Sequence, residues 1–176
     1  CPAIKLTHDS AAGANGYPGR LRMEVTFRLV AKQGLMIEYR AYCDSATLCN
    51  PTNHTYFNLA GSKASNILSH WLQINADQVI LVDQDLVPSG TMSPVIDTPF
   101  DLREGAIIGQ QLKHRHPQLD FGGGFDHNFV LNASDGDFRR VATLQDDISG
   151  RSMEVWTDRP GLQFYSGNRL DQTADA

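Results

Sequence analysis

Apolar and polar residues alternate along two neighbouring stretches in the first quarter of the chain. Over residues 23–30, Met23, Val25, Phe27 and Leu29 fall opposite Glu24, Thr26 and Arg28, and over residues 35–43, Leu35, Ile37, Tyr39 and Ala41 repeat the pattern. A period of two is that of an extended chain with one face buried, and the short Lys32-Gln33-Gly34 connection predicts a hairpin. Further extended segments are predicted at residues 55–59, 71–74, 78–82, 129–132, 140–145, 152–157 and 162–165. Turn formers punctuate them at Pro88-Ser89-Gly90, Gly122-Gly123-Gly124, Ser134-Asp135-Gly136 and Ser149-Gly150. Residues 1–20, which hold Ala11-Ala12-Gly13-Ala14-Asn15-Gly16 and Tyr17-Pro18-Gly19, read as loop, and a helical turn or two is predicted around residues 107–113. This rhythm is that of an all-β chain, an antiparallel sandwich or barrel. No repeat or linker divides it, so the 176 residues read as a single domain or part of one.

Composition narrows the class. With 41% hydrophobic and 20% charged residues the chain is globular rather than disordered. Its 15 Lys and Arg against 20 Asp and Glu give a net charge of -5, which argues against a nucleic-acid partner, since phosphate backbones demand clustered cations. The densest basic stretch, Lys113-His114-Arg115-His116 before Pro117, reads as a solvated loop. Three cysteines, Cys1, Cys43 and Cys49, form no C-x-x-C pair, so neither a disulfide framework nor a zinc knuckle is expected, and a reducing, cytoplasmic setting fits. No apolar run of about 18 residues supports a membrane span. Asn53-His54-Thr55 and Asn132-Ala133-Ser134 match the glycosylation tripeptide, a match common by chance. A start at Cys1 and a small, polar end at residues 171–176 lead us to expect a piece of a longer polypeptide.

Chemistry concentrates in three segments. Thr52-Asn53-His54-Thr55-Tyr56-Phe57-Asn58-Leu59, if extended, puts His54, Tyr56 and Asn58 on one face, and an imidazole with a pKa near 6.5 exchanges protons at neutrality without a cofactor. A lone histidine is more often a buried one held by a backbone carbonyl. Asp126 and Asn128 share a face, with Phe125, His127 and Phe129 opposite; a carboxylate beside a carboxamide suits vicinal hydroxyls, each of which donates and accepts. The plainer alternative is an Asx-capped turn after the triple glycine. Gln163 and Tyr165 share a face opposite Leu162 and Phe164, the alternative being an edge strand with an exposed glutamine. Metal binding by His114, His116 and His127 is not expected, because no carboxylate lies at ligand spacing. The triple glycine lacks the Lys-Ser/Thr ending of a phosphate loop, and no Gly-x-Ser-x-Gly elbow occurs. No cofactor is expected.

Taken together, Asn53-His54-Thr55-Tyr56-Phe57-Asn58-Leu59-Ala60-Gly61, Gly124-Phe125-Asp126-His127-Asn128-Phe129 and Gly161-Leu162-Gln163-Phe164-Tyr165-Ser166-Gly167-Asn168 resemble, in order and spacing, the aldose 1-epimerases or galactose mutarotases. The resemblance extends to Gly16-Tyr17-Pro18-Gly19, Leu81-Val82-Asp83 and Thr98-Pro99-Phe100-Asp101-Leu102-Arg103. It implies an incomplete β-supersandwich, a monosaccharide such as galactose or glucose as substrate, and interconversion of its α and β anomers. It further implies that His54 is the general acid at the ring oxygen, Asp126 a holder of sugar hydroxyls and Gln163 a pocket-lining amide. The family's general base, a glutamate beyond Gly-Asn-x-Leu, has no counterpart before Ala176, and Glu154 does not match it. A second histidine in Leu-His-Gly-Gly and an arginine have none either. Arg169 replaces a usual aromatic, and Leu48-Cys49-Asn50-Pro51 departs from the usual approach to the histidine. The expectation is most of the second half of an aldose 1-epimerase, weak or inactive by itself. The alternatives are a non-catalytic carbohydrate-binding or regulatory protein on the same scaffold, or a sugar-phosphate epimerase whose only candidate cations are Arg103 and Arg169.

Overall fold

The two alternating stretches form paired strands, joined in one unit by a strand that precedes them, and the elements after Thr55 gather in a second unit. The computed structural model describes residues 1–31, 34–62, 64, 66–132 and 136–170. Lys32, Gln33, Ala133, Ser134, Asp135 and residues 171–176, on which part of the hairpin connection, one turn, one glycosylation match and the polar end were read, lie outside the described residues. Contacts divide the chain into the units Cys1–Thr55 and Tyr56–Ala176.

The first unit is a three-stranded antiparallel sheet in chain order, made of β1 (Ala3–Ser10), β2 (Leu21–Val30) and β3 (Gly34–Cys43). The predicted hairpin is β2–β3. Its register sets Met23 against Ala41, Val25 against Tyr39, Phe27 against Ile37 and Leu29 against Leu35, so the two apolar faces read from the sequence are one face. Strand β1 corrects the loop expected over residues 1–20. Ile4 and Leu6 alternate with Lys5 and Thr7 and pair with Phe27 and Val25; the turn formers that follow are only the connection to β2, where Gly13, Asn15 and Gly16 take positive φ. On the opposite face Lys5 lies 2.6 Å from the buried Glu24, and that contact, with the Arg22 and Arg40 charges, holds the Glu24 carboxyl below its ordinary range.

The second unit contains β4 (Trp71–Ile74), β5 (Ala76–Val82), β6 (Pro88–Pro94), β7 (Ala106–Ile107), β8 (Asp126–Leu131), β9 (Arg139–Asp146), β10 (Arg151–Thr157) and β11 (Gly161–Tyr165). They form two four-stranded antiparallel sheets, ordered β10-β9-β4-β7 and β11-β8-β5-β6. Ile74, Val141 and Leu144 from the first meet Val79, Phe129 and Leu131 from the second in one buried cluster, closed by Val95, Phe100, Leu102 and Ile108. Apolar faces of two sheets sharing a core make the antiparallel β-sandwich that the alternation predicted.

Three local differences have physical reasons. No strand forms over residues 55–59, because the asparagines offer the backbone local partners instead of a ladder: Asn53 Oδ1 accepts from Thr55 N at 3.1 Å and Asn58 Oδ1 from Ala60 N at 3.1 Å. Pro88-Ser89-Gly90, read as a turn, begins β6, an edge strand that tolerates a proline at its first position. The end of the basic stretch, read as loop, starts a helix. Besides α1 (Ile108–Gln111), which lies in the predicted window, α2 (Pro117–Gly122) is opened by His116, whose Nδ1 accepts from Gln118 N at 3.3 Å, with Pro117 in its first turn and left-handed Gly123 at its end. Buried Gln118 then acts as a short extra strand on β5, donating to the Val82 carbonyl and accepting its N–H, both at 2.8 Å.

Candidate functional site

Strands β8 and β11 build the floor of the candidate site. Their register sets Asn128 opposite Gln163 and Asp126 opposite Tyr165. Strict alternation buries His127, Phe129 and Leu131 and leaves Asp126 and Asn128 partly exposed on the other face, as expected from the sequence. Gln163 and Tyr165 share that face, while Leu162 and Phe164 pack against the core. The Gln163 amide Nε2 donates to Asp126 Oδ1 across the diagonal at 2.9 Å.

Beside these polar groups Ile80, Val82 and Pro88 of β5 and β6 close a shallow concavity of about 70 Å³. Tyr165, paired with Asp126 in the register, carries an aromatic pair outside this lining: the rings of Tyr56 and Tyr165 lie 5.9 Å apart, tilted by 57°, and the Tyr165 hydroxyl accepts from Arg169 N at 2.9 Å. An apolar floor, a carboxylate with two carboxamides and a neighbouring aromatic pair match the two chemical surfaces of a pyranose, its C–H faces and its hydroxyl rim.

The Asp126 end is held from behind. Asn168 Nδ2 donates to the carbonyls of Gly122 and Phe125 at 3.0 and 2.9 Å, and Ser166 Oγ accepts from Phe125 N at 3.0 Å. Gly124 makes room for this staple: its φ is +144°, and a Cβ there would stand 2.8 Å from Ser166 Oγ and nearer still to Asn168. Gly124→Ala is therefore expected to destabilise the fold by about 2 kcal/mol through backbone strain and loss of the staple; a urea melt reads it, and an unchanged midpoint would refute it.

Of the three site residues named from the sequence, Asp126 and Gln163 are brought together. His54 lies in the first unit, exposed, in the Asn53–Thr55 turn described above. His127 points into the core, fully buried, its ring 4.7 Å from that of Phe100, and burial pushes its pKa down to about 4. Glu154 stands on β10, bound by Arg140 at 2.8 Å and by the Trp156 indole N–H at 3.1 Å, and the Arg140 bond holds its carboxyl low. Arg103 is clasped by Asp101 through two 2.8 Å bonds and by Asp77 at 3.2 Å. What the sequence did not disclose was the apolar floor: Val82 was read as a strand residue and within the Leu81-Val82-Asp83 resemblance, and Pro88 as a turn. In the first unit a larger concavity of about 240 Å³, bordered by Tyr17, Leu48 and Asn50, holds no carboxylate or imidazole. Among the described residues no three His, Cys, Asp or Glu side chains are grouped to hold a metal ion, and no helix is long and apolar enough to cross a membrane.

Known proteins share both sequence and fold. The family model for aldose 1-epimerase matches residues 1–176. Galactose mutarotase from Mus musculus is 44% identical over 170 residues, 97% of this chain and 48% of that protein. Aldose 1-epimerase from Escherichia coli (strain K12) is 38% identical over 166 residues, 94% of this chain and 47% of that one. The crystal structure of galactose 1-epimerase from Lactobacillus acidophilus NCFM superposes with a TM-score of 0.84 at 32% identity, covering 95% of this chain and 47% of that one. The chain spans about half the length of the curated relatives it matches. Matched along its whole length and sharing the sandwich, it belongs to the aldose 1-epimerase family.

Proposed function

We propose that this chain binds a free aldose, galactose or glucose, and takes part in interconverting its α and β anomers. The observation that carries the reading is the Gln163–Asp126 hydrogen bond at 2.9 Å, set beside Asn128 over an apolar floor and next to the Tyr56–Tyr165 pair. In this reading Asp126 accepts from two sugar hydroxyls, Gln163 orients the carboxylate and offers its own oxygen, and a tyrosine ring lies along the sugar's C–H face. His54 donates the proton. Ring opening needs one proton delivered to O5 while another leaves the C1 hydroxyl; rotation about C1–C2 and reclosure on the other face complete the exchange, and the proton count returns to its start. The exposure of His54 to solvent supports that role.

The concavity's 70 Å³ is well below the roughly 300 Å³ at which ligand pockets begin, so in this reading it is the floor under the sugar rather than the whole enclosure. Glu154 is a poor candidate for the base that takes the C1 hydroxyl proton, because Arg140 and Trp156 occupy it. A sugar phosphate fits less well than a neutral sugar: the Arg103 guanidinium already faces two carboxylates. The three unpaired cysteines support a reducing, cytoplasmic setting.

Calorimetric titration of galactose tests the grip. Asp126→Ala is expected to weaken binding at least about tenfold, since hydrogen bonds to a charged group contribute about 1.5–3 kcal/mol each. Equal affinity of variant and parent would overturn the assignment. Binding lost in Asp126→Ala without any rate effect of His54 would select a non-catalytic carbohydrate-binding protein instead.

A further inference from the structure

Leu59 ends the segment that brings Tyr56 to the Asp126 site, and both of its backbone polar groups are held. Its N–H donates to His70 Nε2 at 3.0 Å, and its carbonyl accepts from Ser149 Oγ at 2.9 Å and from Arg151 Nη1 at 2.8 Å. His70, just before β4, is fully buried. Its Nδ1 faces Asp146 Oδ1 at 3.8 Å and has no hydrogen-bond partner among the described residues. Asp146, the last residue of β9, is 1% exposed; it accepts from Ser149 N at 2.8 Å and from Ser69 Oγ at 3.5 Å. The hydrogen bonding fixes the tautomer. Because Nε2 accepts, it carries no proton, and a neutral ring then has its proton on Nδ1, directed at the carboxylate.

We propose that His70 is a positioning residue of the sugar site: its neutral ring, oriented by Asp146, holds the Leu59 N–H and thereby sets the Tyr56 ring beside Tyr165. A core needing only volume here would be filled by Leu or Phe, without a buried N–H that lies beyond bonding distance of its nearest acceptor. The imidazole supplies what those cannot, an acceptor aimed at one backbone N–H. Burial lowers the His70 pKa, with the Asp146 charge opposing, which keeps the ring neutral at neutral pH. Leu59 is anchored from opposite sides, its N–H by the residue preceding β4 and its carbonyl by the β9–β10 turn, so its backbone cannot rotate without losing one hold. The effect on sugar binding rests on the proposed function; the hold on Leu59 does not.

The test uses the chain as it stands and its His70→Gln and His70→Phe variants. Gln returns an acceptor oxygen near the Nε2 position, whereas Phe fills the volume without one. In the parent at pH 7, nitrogen-15 NMR is expected to show His70 Nδ1 protonated and Nε2 bare. His70→Phe is expected to speed amide exchange at Leu59 about tenfold or more and to weaken galactose binding about tenfold, while His70→Gln stays within about threefold on both. A bond contributing only to general stability would lower the melting temperature of both variants without this rescue. An Nε2-protonated or doubly protonated ring in the parent overturns the proposal, as does His70→Phe with unchanged Leu59 exchange. If His70→Phe does not fold, the parent's tautomer and the His70→Gln exchange rate decide. Should the parent bind no galactose, the sugar-site reading fails, and the hold on Leu59 is judged on tautomer and exchange alone.

Discussion

His54→Ala is expected to slow the anomerisation of freshly dissolved α-galactose by about 10²- to 10⁴-fold, the usual worth of a positioned general acid. The measurement is polarimetric. It is made on a polypeptide of the relatives' length, in which the mouse galactose mutarotase supplies the segments outside the matched region, since the chain corresponds to 48% of that protein. The effect is expected in the chemical step rather than in the fold, because His54 is exposed and lies outside the buried core. Melting temperatures of parent and variant should therefore agree. His54→Gln separates protonation from hydrogen bonding: an amide still donates toward O5 but transfers no proton, so it too should fall at least about a hundredfold. Galactose affinity should move far less than the rate, since Asp126 and Gln163 carry the grip. A variant that keeps its rate within threefold of the parent would remove His54 from the mechanism and leave Asp126, Asn128 and Gln163 as a binding surface only.

The alternation that made β8 and β11 legible also made their site legible. A half-buried strand sorts its side chains with period two, so Asp126 and Asn128 could be placed opposite Phe129, and Gln163 opposite Phe164, before any pairing was known. The same argument misled over residues 55–59, where Asn53 and Asn58 bond their neighbours' N–H groups and the composition of a strand yields turns. Punctuation was ambiguous in a second way. Pro117 and Gly123 mark the start and stop of α2 and not a loop, and Pro88 marks an edge strand, because proline and glycine describe backbone geometry and not the element beside it. Strand β1 was hidden by the turn formers after Ser10. The His70–Leu59–Ser149 arrangement was beyond reach, since its members are far apart in the chain and each residue type is ordinary at its position.

Acid should weaken the second unit in a pH window set by His127. Its ring is fully buried on β8, packed edge-on against Phe100; Nδ1 accepts from Asp126 N at 3.1 Å, and Nε2 has no partner among the described residues. Burial depresses its pKa from 6.5 to about 4, the Asp126 charge opposing and His116 adding to the fall. The unfolded chain therefore takes up a proton near pH 6.5 that the folded one refuses until about 4. Stability is complete above pH 6.5 and declines as pH falls toward 4, by about 3 kcal/mol in all. His70, also lowered by burial, acts in the same direction. The paired carboxylates Asp101, Asp146 and Glu154, whose pKa values lie below their ordinary range, lose their contribution only at lower pH, so the histidine slope stands clear of them between pH 6.5 and 4.5. Urea melts across that interval measure it. His127→Leu removes the titrating group while keeping an apolar side chain against Phe100, and should flatten most of the decline even if its stability at pH 7 is lower. An identical slope in the variant, or a His127 ring that titrates near 6.5 by NMR, would show that the strand behind Asp126 opens to water and that its buried face does not hold the carboxylate in place.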